Sequence, residues 1–275
     1  MRLSQAILPV AGFGTRFLPW TKVVPKELLP IGNVPIIALL VDECLSIGVH
    51  DICFVISKGK ESIPEYFLKK PHLERELENR GKLHMLEELS KYDNVRFHTV
   101  YQNEMKGDGH ALLQAKDWVE SEGIAVLFGD DLIVGEKTGL EQLKDAYQLV
   151  KNGSESAVLC LQNVKREDVS KYGIVDADVH NAHTRIKKVK GLVEKPTLEE
   201  APSTLAIVGK YIIPKSTIDI LPSVQSGHGG EIRLIDALIK QLQDGDISIY
   251  GYEFEGKRYD TGHPKGYKEA VEELH

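Results

Sequence analysis

The residues of this chain whose types and spacing suit chemistry begin with a loop near the N-terminus. Gly12 and Gly14 follow a short apolar run, Ala6 to Val10, that reads as a buried strand, and Arg16, Lys22 and Lys26 lie within the same loop. A strand ending in a glycine turn presents successive backbone N–H groups as a concavity for phosphate oxygens, and three nearby cations can neutralise several negative charges. The chemistry implied is binding of a polyphosphate rather than of a lone carboxylate. Two nucleotide signatures do not fit: Phe17 stands where G-x-G-x-x-G needs its third glycine, and G-x-x-x-x-G-K-[ST] is absent. A tight turn with solvated basic residues would account for the same letters without a ligand.

Four later stretches add to this. In QNEMKGDGH, Gln102 to His110, two glycines after a strand can let a nucleobase lie against backbone, although a plain strand-to-helix loop reads the same way. Phe128-Gly129-Asp130-Asp131 closes an apolar run, and carboxylates at a strand end offer the hard oxygens that Mg²⁺ combines with substrate phosphates. In Glu194-Lys195-Pro196 the carboxylate can accept bonds from sugar hydroxyls while the lysine meets a phosphate; as a bare tripeptide it is also an ordinary charged turn. Arg258-Tyr259-Asp260-Thr261-Gly262 carries another aspartate and alone reads as an aspartate-glycine turn.

These residues need a frame that ends several strands at one crevice. Strands are expected at 51–56, 95–101 and 124–128, with helices over 35–47, 61–69, 72–92 and 110–118. The alternation predicts an α/β fold: an open, mostly parallel mixed sheet, Rossmann-like, with helices on both faces and ligands beyond the carboxyl ends of the strands. Strands at 157–164, 185–193, 205–213 and 247–252 and helices at 232–243 and 264–274 should continue that sheet. In 72–92, Glu76 with Arg80 and Glu78 with Lys82 are spaced to support a solvated helix without chemistry.

At 275 residues, 42% hydrophobic and 27% charged, with no linker, the chain is expected to form a single domain over 1–275. A net charge of -7 argues against nonspecific nucleic-acid binding and makes the basic loop a local feature of an acidic protein. Cys44, Cys53 and Cys160, odd in number and without C-x-x-C spacing, fit a reducing cytoplasm and suggest no catalytic thiol. The apolar run 36–41 is too short to span a bilayer, no signal-peptide layout is present, and no membrane association is expected. Asn152-Gly153-Ser154 is formally a glycosylation acceptor, of little meaning in the cytoplasm.

Gly12-Phe13-Gly14-Thr15-Arg16, Phe17-Leu18-Pro19, Thr21-Lys22 and Pro25-Lys26-Glu27 together resemble the nucleotide loop of sugar-nucleotide pyrophosphorylases, and most of all that of bacterial UTP:glucose-1-phosphate uridylyltransferases. The later stretches recur in that family's order over nearly the whole chain. The resemblance implies a nucleotidyltransferase fold and Mg²⁺-dependent transfer of a uridylyl group from UTP to glucose 1-phosphate, giving UDP-glucose and pyrophosphate, in a homo-oligomer (dimer or tetramer). It implies that Ala11, Gly12, Gly14, Glu27, Gln102 and Gly107 bind the nucleotide, with Gln102 and Gly107 contacting the uracil and Ala11, Gly12 and Glu27 completing that end. Gly173, Glu194 and Lys195 would hold the hexose and its phosphate, Asp130 and Asp260 the metal, and Arg16, Lys26 and Lys195 would stabilise the transferring group. Asp108, Thr261 and His263-Pro264 depart from the family's pattern, and His263 is read as a helix-start residue because the reaction needs no base. Two alternatives stay open: a glucose-1-phosphate thymidylyltransferase, separated by one methyl worth about 1 to 3 kcal/mol, and a non-catalytic sugar-nucleotide-binding protein. A nicotinamide oxidoreductase would need the missing third glycine.

Overall fold

In the computed structural model residues 3–151, 154–180, 183–224 and 230–274 are described, so Asn152 and Gly153 of the glycosylation triplet lie outside the described residues. The first half runs through β1 (Leu3–Pro9), the short pair β2 (Pro30–Ile31) and β3 (Val34–Pro35), α1 (Ile36–Ser46), β4 (Asp51–Ile56), α2 (Ser62–Glu65), α3 (Pro71–Asn79) and α4 (Leu83–Ser90). It continues with β5 (Arg96–Tyr101), α5 (Asp108–Gln114), β6 (Gly123–Leu127), β7 (Asp131–Val134) and α6 (Gly139–Val150). The second half contains β8 (Ser156–Asn163), β9 (Gly173–His180), β10 (His183–Glu194), β11 (Leu205–Pro214), α7 (Lys215–Ile220), α8 (Leu234–Asp244), β12 (Ser248–Glu253), β13 (Lys257–Asp260) and α9 (Pro264–Glu273).

Among the described residues the main sheet has nine strands in the order β5-β4-β1-β6-β11-β8-β12-β10-β9. The four strands β5, β4, β1 and β6 are mutually parallel, as the alternation predicted. β11 enters antiparallel to both β6 and β8, and β10 and β9 are antiparallel too, so the second half is the mixed part. β9 also touches β11 through Ala206 and Ile174, which curls that half back on itself.

Side-chain alternation assigns the two faces. Ala6 and Leu8 of β1 and Ile52, Phe54 and Ile56 of β4 join the core under α1 and α6. Ile7, Cys53 and Val55 face the other way, into the core under α5, α7 and α8. With both faces covered, the strand ends are where polar chemistry can reach water. No helix among the described residues is long and apolar enough to cross a membrane.

The expected helix over 72–92 is two helices, because Gly81 adopts φ +67° between α3 and α4. Arg80 still pairs with Glu76 at 2.6 Å, but α3 ends before Lys82 could stack on Glu78. α6 was not anticipated, although its signal is in the sequence. Thr138 accepts the Glu141 N–H at 3.2 Å and Glu141 accepts the Thr138 N–H at 2.7 Å, a capping box written Thr-x-x-Glu. The antiparallel pair β7 and β13 was also missed, because four-residue strands carry little periodicity.

Candidate active site

β1 lies between β4 and β6, so its exit opens onto the crevice beyond the carboxyl ends of the parallel strands. The Val10 N–H extends the ladder to Val55 O at 2.8 Å. The next two carbonyls then turn toward the segment after β4: Lys60 Nζ donates to Val10 O at 2.6 Å and Ser57 Oγ to Ala11 O at 2.8 Å. In a planar trans peptide the N–H points opposite to the carbonyl. The Ala11 and Gly12 amides therefore point away from that segment, and neither donates to another group among the described residues. A Cβ on Gly12 would meet nothing within 4 Å. Gly14, at φ +63°, accepts the Thr21 hydroxyl at 2.8 Å and starts the turn Thr15–Phe17 that carries Arg16.

A cavity of about 340 Å³ opens here, walled by Ala11, Gly12, Lys26, Glu27, Gln102, Gly107 and Asp130 among the expected residues. Gly14, Arg16, Asp260, Gly173, Glu194 and Lys195 are not on its wall. Arg16 is exposed, yet close enough for its charge to press on Lys26.

Lys26 Nζ bonds Asp130 Oδ2 at 2.5 Å, linking the glycine loop to the end of β6. Burial disfavours the Lys26 charge, but Asp130 and Glu27 outweigh it and raise its proton affinity above that of an ordinary lysine. Asp130 thus has a cation from the protein itself. Glu27 is 1% exposed and both its oxygens are engaged by Lys60, at 3.0 and 2.8 Å. Burial pushes the Glu27 carboxyl up and the Lys60 ammonium down, each toward neutrality, against the pull of their pairing. Glu27 lies in the cavity wall as anticipated, but its carboxylate is already occupied.

Gln102 Nε2 donates to Gly107 O at 2.9 Å and lies 3.1 Å from His110 Nδ1, which leaves Oε1 as the acceptor end of the amide. A Cβ on Gly107, at φ +98°, would stand 2.5 Å from Ile232 O, so protein backbone already demands glycine there. Asp108, one of the departures from the family's pattern, is engaged by backbone. Its Oδ1 accepts the Gly109 N–H at 2.6 Å and the Leu234 N–H at 2.9 Å, tying the start of α5 to the start of α8, and burial raises its carboxyl.

β7 and β13 pair with Asp131 opposite Asp260, which brings the two expected metal carboxylates, Asp130 and Asp260, to one end of that ribbon. Thr261, one of the departures, doubles the connection: its N–H and its hydroxyl donate to Asp130 O at 2.8 and 2.9 Å. His263 occupies the position before α9 without a side-chain bond to the helix start, and it is exposed. Behind the ribbon Asp131 accepts the Gly209 N–H at 2.8 Å and a short bond from Arg258, whose guanidinium also lies 5.6 Å from the Tyr172 ring.

That ring leads to the third group. Gly173 faces Glu194 across β9 and β10, and a Cβ on Gly173 would come 3.2 Å from Glu194 Oε2. Lys195 takes φ +46°, a left-handed conformation that costs an L-residue roughly 1 to 2 kcal/mol, and the Tyr172 carbonyl holds it there by accepting its N–H at 3.0 Å. Its ammonium is 3.5 Å from Glu194 Oε1, while Arg233 approaches the same oxygen at 3.8 Å. Gly173, Glu194 and Lys195 are thus assembled together, beside rather than within the cavity.

Lys60, Ser57, Arg258, Met105 and Glu231 were not anticipated; the last two are in the cavity wall. A lysine inside SKGKES gives no hint of burial, and only the need of a buried Glu27 for a cation could have called for one. The three cysteines are buried, which pushes the Cys53 thiol up to about 12 and the other two higher still.

Comparison with known proteins gives concordant matches. The family described as nucleotidyl transferase matches residues 5–275. The UTP–glucose-1-phosphate uridylyltransferase of Bacillus subtilis (strain 168) is 41% identical over 269 residues, covering 97% of this chain and 89% of the relative. The enzyme of the same name from Pseudomonas aeruginosa is 39% identical over 270 residues, covering 98% and 95%. A crystal structure of UDP-glucose pyrophosphorylase complexed with UDP-glucose superposes with a TM-score of 0.86 at 33% identity, covering 99% of this chain and 98% of that one.

Proposed function

Because the chain belongs to the nucleotidyl transferase family, and within it stands among bacterial UTP–glucose-1-phosphate uridylyltransferases, we propose that it transfers the uridylyl group of UTP to glucose 1-phosphate. One observation carries the reading: undonated Ala11 and Gly12 amides, the Lys26 ammonium and the Asp130 carboxylate converge on one cavity with the acceptor end of Gln102. Uracil presents an N3–H donor that Gln102 Oε1 can accept, and cytosine has none there. Thymine shares that donor, so uracil selectivity rests on the relatives.

The sugar phosphate is an anion at neutral pH and needs no base. One of its oxygens attacks the α-phosphorus of UTP, a new P–O bond forms, the bond to the bridging oxygen breaks, and pyrophosphate leaves with the electron pair. Arg16, Lys26 and the Ala11 and Gly12 amides bind the triphosphate; Lys195 takes the sugar phosphate, and Glu194, with Gly173 beside it, takes hydroxyls of the hexose. Glu27 supports the loop from behind, while Gln102 and Gly107 face the base.

Asp130 and Asp260 would supply two hard carboxylates to a divalent cation, Mg²⁺ by preference: the register of β7 and β13 brings both to one end of the ribbon, and Gly262, whose N–H donates to Asp260 Oδ1 at 3.1 Å, packs so closely on the Asp130 carboxylate that a Cβ there would collide with it. When bound, the ion would neutralise charge on the phosphates. The proposal extends to a cytoplasmic homo-oligomer, dimer or tetramer; free, buried cysteines support the first and the exposed Leu18, Trp20 and Val23 the second. Incubation with UTP, glucose 1-phosphate and Mg²⁺ should yield UDP-glucose and pyrophosphate in equal amounts. No pyrophosphate release would refute it.

A further inference from the structure

We propose that Lys60 is a positioning residue for nucleotide binding, deepening the uridylyl-transfer reading on which it rests. Its ammonium has three protons and three acceptors: Val10 O at 2.6 Å and the two Glu27 oxygens at 3.0 and 2.8 Å. The residue is 6% exposed and is not in the cavity wall, whereas its partner Glu27 is.

Two effects follow from that one nitrogen. Holding the Val10 carbonyl fixes the peptide plane at the exit of β1, and the Ala11 N–H in that plane is aimed to the opposite side. Ser57, from the same turn, does likewise for the next plane through Ala11 O at 2.8 Å. Without these bonds both carbonyls could rotate toward incoming phosphate and repel it. The second effect runs through Glu27, which follows Lys26 in the turn Lys26–Leu28. Clamping Glu27 fixes that turn and hence the stem of Lys26, whose ammonium reaches Asp130 at 2.5 Å. A single buried cation thereby sets both the amide cradle and the neighbouring ammonium, while Glu27 balances its charge and leaves the field at the phosphates to Lys26 and Arg16.

Lys60→Met alone would strand the buried Glu27 charge and could unfold the protein, so the informative variant is Lys60→Met/Glu27→Gln, with Glu27→Gln as its control. The control differs from the double variant at Lys60 only; because it leaves the buried Lys60 ammonium without its carboxylate, its melting is measured too and affinities are compared at a temperature where both variants are folded. Thermal melting and calorimetric titration with UTP, without turnover, give the readouts. The double variant should melt close to the parent yet bind UTP about tenfold or more weakly than the control, the loss expected when one charge-assisted bond from a backbone amide to phosphate is no longer aimed. Equal UTP affinity in the folded double variant and the control would overturn the proposal and reduce Lys60 to a charge balancer. All four nucleoside triphosphates are titrated against the parent first: preference for one other than UTP overturns the uridylyl reading alone, and the variants are then compared with that nucleotide. A parent that binds none overturns both.

Discussion

Replacing Gly12 by alanine should stabilise the protein and weaken nucleotide binding at the same time. The added Cβ meets nothing within 4 Å, and Gly12 is outside the left-handed region, so the folded chain accepts the methyl without strain. Lower entropy of the unfolded chain then contributes about 0.4 to 1 kcal/mol of stability. At about 2.1 cal/mol/K per residue over 275 residues, or roughly 0.6 kcal/mol/K, the melting temperature should rise by about 1 to 2 °C. If a triphosphate lies against that backbone, the methyl occupies its space, and overpacking of about 1 to 3 kcal/mol weakens binding about 5- to 150-fold. Gly14→Ala is the contrast: at φ +63°, with Thr21 Cγ2 at 3.0 Å, it should lower the melting temperature. Melting curves and UTP titrations on both variants decide the matter. Gly12→Ala with undiminished UTP affinity would show that the open space at Gly12 does not belong to the ligand, and the cradle argument would fail.

Gly262→Ala would bring a methyl inside contact distance of the Asp130 carboxylate, 3.0 Å from its Cγ; displacing that group by up to an ångström should cut kcat on the order of 100-fold with melting little changed, and unaltered kcat would count against Asp130. Lys195→Ala should raise the KM for glucose 1-phosphate about tenfold or more while leaving UTP binding intact; the reverse pattern would misplace the sugar phosphate. Asp130→Asn and Asp260→Asn should each collapse Mg²⁺-dependent turnover, and the double variant should be little worse than the poorer single one; additive losses in a Mg²⁺ titration would contradict a shared ion.

The parallel half of the fold was legible because its strands are apolar runs bounded by turn residues, and 51–56 was read to the residue as β4. The site was legible as separate pieces. The glycine loop, Asp130 and Gln102 announce themselves by residue type at a strand end. What the letters could not carry was partnership across long separations. Lys60 lies 33 residues from Glu27, and nothing local marks either as buried. The same holds for Arg258, which reaches Asp131 127 residues away. Asp108 is legible in the sequence only as a departure from the family's pattern; it is an acceptor for two helix starts, a role visible only once α8 packs beside α5. Gly107 was assigned to the base, yet Ile232 O already requires it to lack a side chain.

The most direct test of uridylyl transfer is a matrix of UTP, dTTP, CTP, ATP and GTP against glucose, galactose and mannose 1-phosphates, read as kcat/KM from pyrophosphate release. UTP with glucose 1-phosphate should give the highest value, with CTP far below both uracil and thymine nucleotides because Gln102 offers an acceptor where cytosine has no donor. A clear preference for dTTP, or comparable use of CTP, would contradict the account.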